Sequence, residues 1–129
     1  MRFIGARGER GRTCPSRNRP SPRNDAERRA ALWYRLRGYR ILDANCWLAG
    51  GELDLVVRRG RRIVFCEVKS KSGTGFGDPL EMVDDIKANR VRAAADAWLA
   101  RHPEVRGLEV RFDLIAERAG RIEHVPNAF

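Results

Sequence analysis

The sequence predicts an α/β fold in which a mixed β-sheet is flanked by helices. Residues 25–37 and 78–100 repeat apolar side chains at helical spacing, whereas 39–69 and 108–125 read as strands separated by glycine turns. The resulting order, α-β-β-β-α-β-β, packs most simply as helices against a sheet. A chain of 129 residues suits one such domain.

The first helix is predicted over residues 25–37. Asn24 or Asp25 can cap its first turn, and Gly38 supplies the left-handed residue that ends it. Its buried face is expected to carry four residues at helical spacing, namely Ala26, Ala30, Trp33 and Leu36.

Three strands are predicted between the two helices. The first covers residues 39–45, after which Gly50 and Gly51 turn the chain. The second and third cover residues 52–57 and 61–69 and form a hairpin.

The turn of this hairpin sets its register. Gly60 fits the first central position of a two-residue type II′ turn, so Arg59 pairs with Arg62. The same register places Asp54 directly across from Glu67.

The second helix is predicted over residues 78–100, with Asp78 as its cap and Pro79 in its first turn. Residues 108–117 and 121–125 are the last two strands. The buried stripe of this helix is expected to comprise Val83, Ile86, Val91, Ala94, Ala95, Trp98 and Leu99.

Residues 1–24 are rich in arginine, glycine, proline and serine and are expected to be disordered. They hold too few apolar side chains to offset the entropy cost of ordering. Seven arginines stand there against one acid, whereas residues 25–129 hold 19 basic and 16 acidic side chains. Most of the net charge of +9 therefore lies in this tail, which would supply most of the attraction to a polyanion.

No membrane span or secretory signal is predicted. The sequence has no run of 18 apolar residues, and the first arginines are not followed by an apolar segment. Cys46 and Cys66 are expected to be small core residues, which favours a reducing, cytoplasmic location. We expect no membrane partner.

Three charged side chains share one face of the predicted hairpin: Asp54 on one strand, Glu67 and Lys69 on the next. Opposed Cβ atoms lie about 5 Å apart, so the two carboxylates would repel unless a cation lay between them. A divalent cation could fill that position, polarise a phosphodiester and lower the pKa of a bound water. Lys69 would hold the water or offset charge on the phosphate. The pattern also fits a solvated strand face with a surface ion pair between Glu67 and Lys69.

The opposite face of the hairpin is expected to be apolar. Because Val56, Ile63 and Phe65 also place apolar side chains on the charged face, we expect the sheet to be covered on both sides. The residues of the apolar face are Leu53, Leu55, Val57, Val64, Cys66 and Val68.

This arrangement resembles the core of the PD-(D/E)xK nuclease superfamily, which includes archaeal Holliday junction resolvases and type II restriction enzymes. The nearer resemblance is to the YraN-like family of small bacterial proteins. It implies a restriction-endonuclease-like fold over residues 25–129, preceded by the tail. The matching segments are residues 51–55, 65–69, 76–79, 87 with 90, 111–113 and 127–129.

The resemblance implies roles for individual residues. Asp54 and Glu67 would bind the metal and Lys69 would be the motif lysine. Glu27, on the first helix, would complete the metal site, although its position alone also fits an exposed acid favoured by the helix dipole. Glu52 belongs to the matching motif and could face the metal, Lys69 or solvent. The metal would be magnesium, with manganese also possible.

Two positions depart from the family's pattern. Ser70 stands where a basic residue is usual and Trp47 where a polar or basic one is, which could weaken phosphate contacts. On the second helix, Lys87 and Arg90 could meet a DNA backbone or form a solvated face.

The aromatic side chains are assigned no chemistry. Trp33, Trp47 and Trp98 are expected in the core, Trp47 with the least support. His102 and His124 are lone histidines without evident partners, and we assign neither to catalysis.

The sequence favours a metal-dependent endonuclease that hydrolyses phosphodiester bonds in DNA, including branched or structured DNA. One alternative is a nuclease-fold protein that binds DNA or RNA without cutting it. Another is an RNA- or ribosome-associated protein led by the tail. A homodimer would suit the cutting of two strands.

Overall fold

The computed structural model describes residues 12–13, 24–70 and 85–129, and it confirms the α/β class. A short 3-10 helix, Pro103–Val105, lies between the second helix and the fifth strand. The other elements are β1 (Arg12–Thr13), α1 (Asp25–Arg35), β2 (Arg40–Leu48), β3 (Gly51–Arg59), β4 (Arg62–Ser70), α2 (Asp85–Ala100), β5 (Glu109–Arg118) and β6 (Arg121–Val125).

The strands form one mixed sheet in the order β1-β2-β3-β4-β5-β6. β2, β3 and β4 are antiparallel, β5 runs parallel to β4 after the α2 crossover, and β6 is antiparallel to β5. The predicted order is thus confirmed, and β1 adds two residues parallel to β2. The rest of the predicted tail before Asn24, and the predicted helix start at Asp78, lie outside the described residues.

The hairpin register was predicted correctly. Arg59 pairs with Arg62, and the ladder continues to Leu55 and Cys66. Gly60 has a φ of +59°, as the first central position of the turn requires.

Helix α1 begins at Asp25 as predicted, ends at Arg35, two residues before the predicted end, and turns a different side to the sheet. The Asn24 side chain accepts a hydrogen bond from the Glu27 amide at 2.9 Å, and Gly38 has a φ of +91°. Leu36, however, is 73% exposed. The prediction for Leu36 was wrong because two residues with polar groups, Glu27 and Tyr34, are buried and set the orientation of the helix. The buried residues are Ala26, Glu27, Ala30, Ala31 and Tyr34.

The two helices cover opposite faces of the sheet, as expected from the apolar residues on both. Val83 of the predicted α2 stripe lies outside the described residues. Among the stripe residues that the structure describes, Ile86 is the exception, since it is 64% exposed. The α1 side packs on Leu55, Val57, Val64, Cys66 and Val68, and the α2 side on Val56, Ile63 and Phe65.

Leu53 lies on the α2 side, not with Leu55 as strand alternation predicted. Its β2 partner Cys46 lies there too, whereas Ala44, the partner of Leu55, lies on the α1 side. Between them, Asn45 has a φ of +56°, outside the extended region. We attribute the change of side to this left-handed residue, which rotates the end of the β2–β3 hairpin next to Asp54.

Candidate active site

β3 and β4 separate at the position that the register assigns to Asp54 and Glu67. Counted from the turn, the last backbone pair is Leu55 with Cys66, one residue before Asp54 and Glu67 would pair. Beyond that point the Asp54 Oδ2 atom accepts a hydrogen bond from the Val68 amide at 2.9 Å. The side chain of Asp54 therefore bridges the two strands where their backbones no longer pair.

Asp54 is a buried carboxylate in an acidic environment. Burial raises its pKa well above the ordinary value, and the charge of Glu67 raises it further. The hydrogen bond from Val68 opposes this, while Glu27 and Glu52 add to it. A cation beside Asp54 would favour its charged form and so oppose these effects.

Glu67 is also buried, and one of its carboxylate oxygens contacts two lysines. Its Oε2 atom lies 2.6 Å from the Lys87 Nζ and 3.3 Å from the Lys69 Nζ. Burial lowers the pKa of Lys87, but the hydrogen bond with Glu67 and the negative charges of Glu67 and Asp54 act together with the contact to Lys69, and the pKa is raised. Because Glu67 is only 4% exposed, the alternative of a plain surface ion pair with Lys69 was wrong.

Glu27 points into the protein from the first turn of α1. It is 3% exposed, so the alternative of an exposed helix-start acid was wrong. It is near enough to raise the pKa of Asp54. Within residues 24–70 and 85–129, however, no three Asp, Glu, His or Cys side chains are grouped closely enough to hold a metal ion. A role for Glu27 in metal binding stays a prediction.

A cleft of about 410 Å³ opens onto these residues. Asp54 and Glu67 line it together with Glu52, Lys87 and Arg90, the three side chains predicted as accessory. The remaining lining residues are Trp47, Gly50, Gly51, Ile86 and Val91.

Gly51 lets α2 approach the sheet beside this cleft. A Cβ atom at this position would lie 2.5 Å from the Arg90 carbonyl oxygen, a distance that real Cβ atoms essentially never show. The absence of a side chain therefore fixes how closely α2 packs on the start of β3. Lys87, one turn before Arg90, reaches Glu67 from this position.

A second buried carboxylate, Asp113 on β5, is saturated with donors. Its oxygens lie 2.8 Å from the Tyr34 hydroxyl, 2.7 and 2.8 Å from two Arg111 nitrogens, 2.8 Å from the His124 Nε2 and 3.2 Å from the Asn127 amide. Burial would raise the pKa of Asp113, but the hydrogen bonds from His124, Arg111 and Tyr34 and from the Asn127 amide lower it to about 2. This network joins α1, β5, β6 and the C-terminal residues.

The structure corrects the view of the two histidines as lone residues. His124 belongs to the Asp113 network, and His102 stacks on Trp98 at a centroid distance of 3.6 Å. The His102 Nδ1 also lies 2.7 Å from the Trp98 carbonyl oxygen.

The resembling segments 111–113 and 127–129 thus have a structural explanation. Besides the contacts of Asp113, the Ala128 amide donates to the Phe112 carbonyl at 2.7 Å, and the rings of Phe112 and Phe129 lie 5.6 Å apart. These contacts fasten the C-terminal residues to β5.

Sequence reasoning missed the apolar lip of the cleft. Trp47, expected in the core, is half-buried and lines the cleft, and the exposed Ile86 lies on the other wall. The departure of Trp47 from the family's pattern was a signal for this position. The sequence gave no signal for Ile86, because its helical spacing predicted a buried position on α2.

Comparison with known proteins identifies relatives of this chain. A model of the family described as "Uncharacterised protein family UPF0102" matches residues 26–116. A UPF0102 protein of Frankia casuarinae is 48% identical over 97 residues, 71% of this chain and 81% of the relative. One of Anaeromyxobacter dehalogenans is 44% identical over 111 residues, 81% of each chain. One of Geobacter sulfurreducens is 44% identical over 105 residues, 78% of this chain and 80% of the relative.

These matches confirm the predicted resemblance to the YraN-like family. Among the described helices, none is long and apolar enough to span a bilayer.

Proposed function

We propose that this chain, which belongs to the uncharacterised protein family UPF0102, is a metal-dependent nuclease that hydrolyses phosphodiester bonds in DNA. The observation that carries the proposal is the meeting of Asp54 and Glu67 at one cleft, where Lys87 and Lys69 both contact Glu67. Buried acids whose pKa is perturbed and that lie in a cleft beside amines are typical of catalytic centres.

The donor set of the cleft fits a divalent metal ion. Asp54 and Glu67 would hold it, and the raised pKa of Asp54 indicates negative charge that a cation would compensate. Two carboxylates are enough for Mg²⁺, which keeps several of its waters. When bound, such an ion supplies Lewis-acid stabilisation of the phosphate and lowers the pKa of a water.

The chain's own cations complete the proposed chemistry. Lys87 and Lys69 lie on Glu67 and can turn toward a phosphate oxygen, where an ammonium offsets developing negative charge. Arg90 is exposed on the wall of the cleft, where it can hold a neighbouring phosphate and orient the chain to be cut.

One observation favours a second candidate, a nuclease-fold protein that binds nucleic acid without cutting it. The Lys87 ammonium lies 2.6 Å from the Glu67 Oε2 and already neutralises one of the two carboxylates. In that case Lys87 would keep this position in the presence of metal, and Asp54 would be the one uncompensated acid.

Cleavage of a DNA panel separates the candidates. The full chain is incubated with linear, flapped and four-way DNA in magnesium, manganese or EDTA. We expect cleavage products in magnesium or manganese and none in EDTA. Asp54→Asn and Lys69→Ala should each lower the cleavage rate by at least about a hundredfold, since even residues that only support a metal ligand can contribute that much to activity. Glu123→Gln, an exposed acid on β6, is the control and should cut as the wild type does.

Two outcomes contradict the nuclease proposal. Binding of the DNA without any metal-dependent product supports the non-cleaving candidate. Cleavage by Asp54→Asn at the wild-type rate removes the cleft from the mechanism. A homodimer, a cytoplasmic location and a role for residues 1–24 in nucleic-acid binding stay predictions.

A further inference from the structure

Six arginines cluster at the end of the sheet opposite the cleft. The register brings them there: Arg40 pairs with Arg58 across β2 and β3, and Arg59 pairs with Arg62 across β3 and β4. We call the following residues the arginine end: Arg37, Arg40, Arg58, Arg59, Arg61 and Arg62.

The arginine end is an unfavourable arrangement for the folded chain alone. Like charges directly opposite each other on neighbouring strands are destabilising. Of the six, within the part of the chain that the structure describes, only Arg62 has a carboxylate at ion-pair distance, Glu109 at 3.0 Å. Such a cluster would be stabilised by a ligand of opposite charge.

Several of these side chains are already held in place by uncharged groups. Arg59 donates to the Arg37 carbonyl at 2.7 Å, and its guanidinium lies 4.7 Å from the centre of the Tyr39 ring. The Arg58 Nε donates to the Gly60 carbonyl at 2.9 Å. Each guanidinium has five N–H donors, so these bonds leave others for a ligand. Less side-chain entropy is then lost on binding.

We propose that the arginine end binds the phosphate backbone of double-stranded DNA. Arginine is the side chain whose planar fork best matches a phosphate. Arg59 follows Asp54 by five residues along β3, which corresponds to about 17 Å at the usual rise. This span equals about five base pairs of duplex. Phosphates of one rigid duplex could therefore reach both the arginine end and the cleft.

The proposal deepens the proposed function by naming duplex DNA as the substrate class, and rests on it for the orientation toward the cleft. Binding itself is measured without cleavage. The full chain is titrated with a fluorescent 20-base-pair duplex in EDTA over a range of salt concentrations, and binding is followed by anisotropy. The variant is Arg40→Gln with Arg58→Gln, which removes one like-charged pair.

The matched control is Arg118→Gln with Arg121→Gln. These two arginines also form a cross-strand pair, between β5 and β6 at the far edge of the sheet. Both double variants lose the same charge, so a general effect of net charge should weaken them equally.

We expect the arginine-end variant to bind duplex at least about tenfold more weakly, with a salt slope smaller by about 2, one per lost phosphate contact. The control should change less than about twofold. The melting temperature of the variant should stay the same or rise, because a like-charged pair is removed.

The proposal is overturned if both double variants weaken binding equally or if the arginine-end variant binds duplex as the wild type does. A loss confined to single-stranded RNA or to polyglutamate would assign the surface to another class of partner and also overturn it. A wild-type chain that binds duplex through these arginines but cuts no DNA would refute the proposed function alone. One that cuts DNA without needing them would refute this inference alone.

Discussion

Asp54 and Asp113 are both buried aspartates of the same sheet, but their surroundings are opposite. Asp113 is contacted by three side chains, those of Tyr34, Arg111 and His124, and by the Asn127 amide. These hydrogen bonds outweigh its burial and lower its pKa to about 2. Asp54 receives the Val68 amide and faces other acids, and its pKa is raised.

The contrast separates a structural carboxylate from a candidate functional one. Asp113 is stabilised in its charged form by the fold, so it has nothing to gain from a ligand. Asp54 is destabilised in its charged form, so a cation that binds there would stabilise the charged carboxylate. Burial alone does not distinguish them, since both are less than a tenth exposed.

The largest expected effect comes from breaking the saturated site. Asp113→Asn leaves Arg111 partly buried without its charge partner and should lower the free energy of unfolding by about 3–5 kcal/mol. Urea unfolding at neutral pH measures this, with the exposed Glu123→Gln as control. A change below about 0.5 kcal/mol would contradict the structural role.

Substitution of Gly51→Ala should have the next largest effect, since the new Cβ would clash with the Arg90 carbonyl. We expect the free energy of unfolding to fall by about 1–3 kcal/mol, as for overpacking in general. Metal binding should become tighter, because the shift of α2 carries the Lys87 ammonium away from Glu67 and leaves more of the negative charge of that carboxylate for a cation. The control is Gly50→Ala, where a Cβ meets no atom within 4 Å and the cost comes from its φ of +80° alone. Metal affinity equal to that of the wild type in Gly51→Ala would contradict the coupling.

The smallest expected effect has the opposite sign. Because the folded-state pKa of Asp54 is raised, its stability contribution is present below the unfolded-state pKa and is lost as the pH rises through the folded-state value. In metal-free buffer, Asp54→Asn should therefore melt higher than the wild type at pH 8, by roughly 2–6 °C. The difference should vanish near pH 3, where Asp54 is protonated in both states. A variant that melts lower at pH 8 would show that Asp54 is a structural carboxylate like Asp113.

Features set by local geometry could be predicted from the sequence. The turn at Gly60 fixes the hairpin register, and the register brings Asp54 and Glu67 to neighbouring positions. The alternation that should have placed Leu53 beside Leu55 failed, because a left-handed asparagine in β2 rotates the strand end.

Features that depend on packing between distant elements could not be predicted. The contact of Lys87 with Glu67 requires α2 to lie on Gly51 at a distance that no local pattern encodes. The partner of His124 is an aspartate 11 residues away on another strand, and Tyr34, which contacts the same carboxylate, lies 79 residues from it. Residue type alone gave no reason to link them.

Calorimetric titration of the full chain with Mn²⁺ tests the central claim most directly, because it asks whether the acids of the cleft hold a cation. We predict saturable binding to the wild type and no binding to Asp54→Asn. Binding should release protons, so the measured heat should change with the ionisation enthalpy of the buffer. Binding of equal affinity to Asp54→Asn, or no binding to the wild type, would contradict the account.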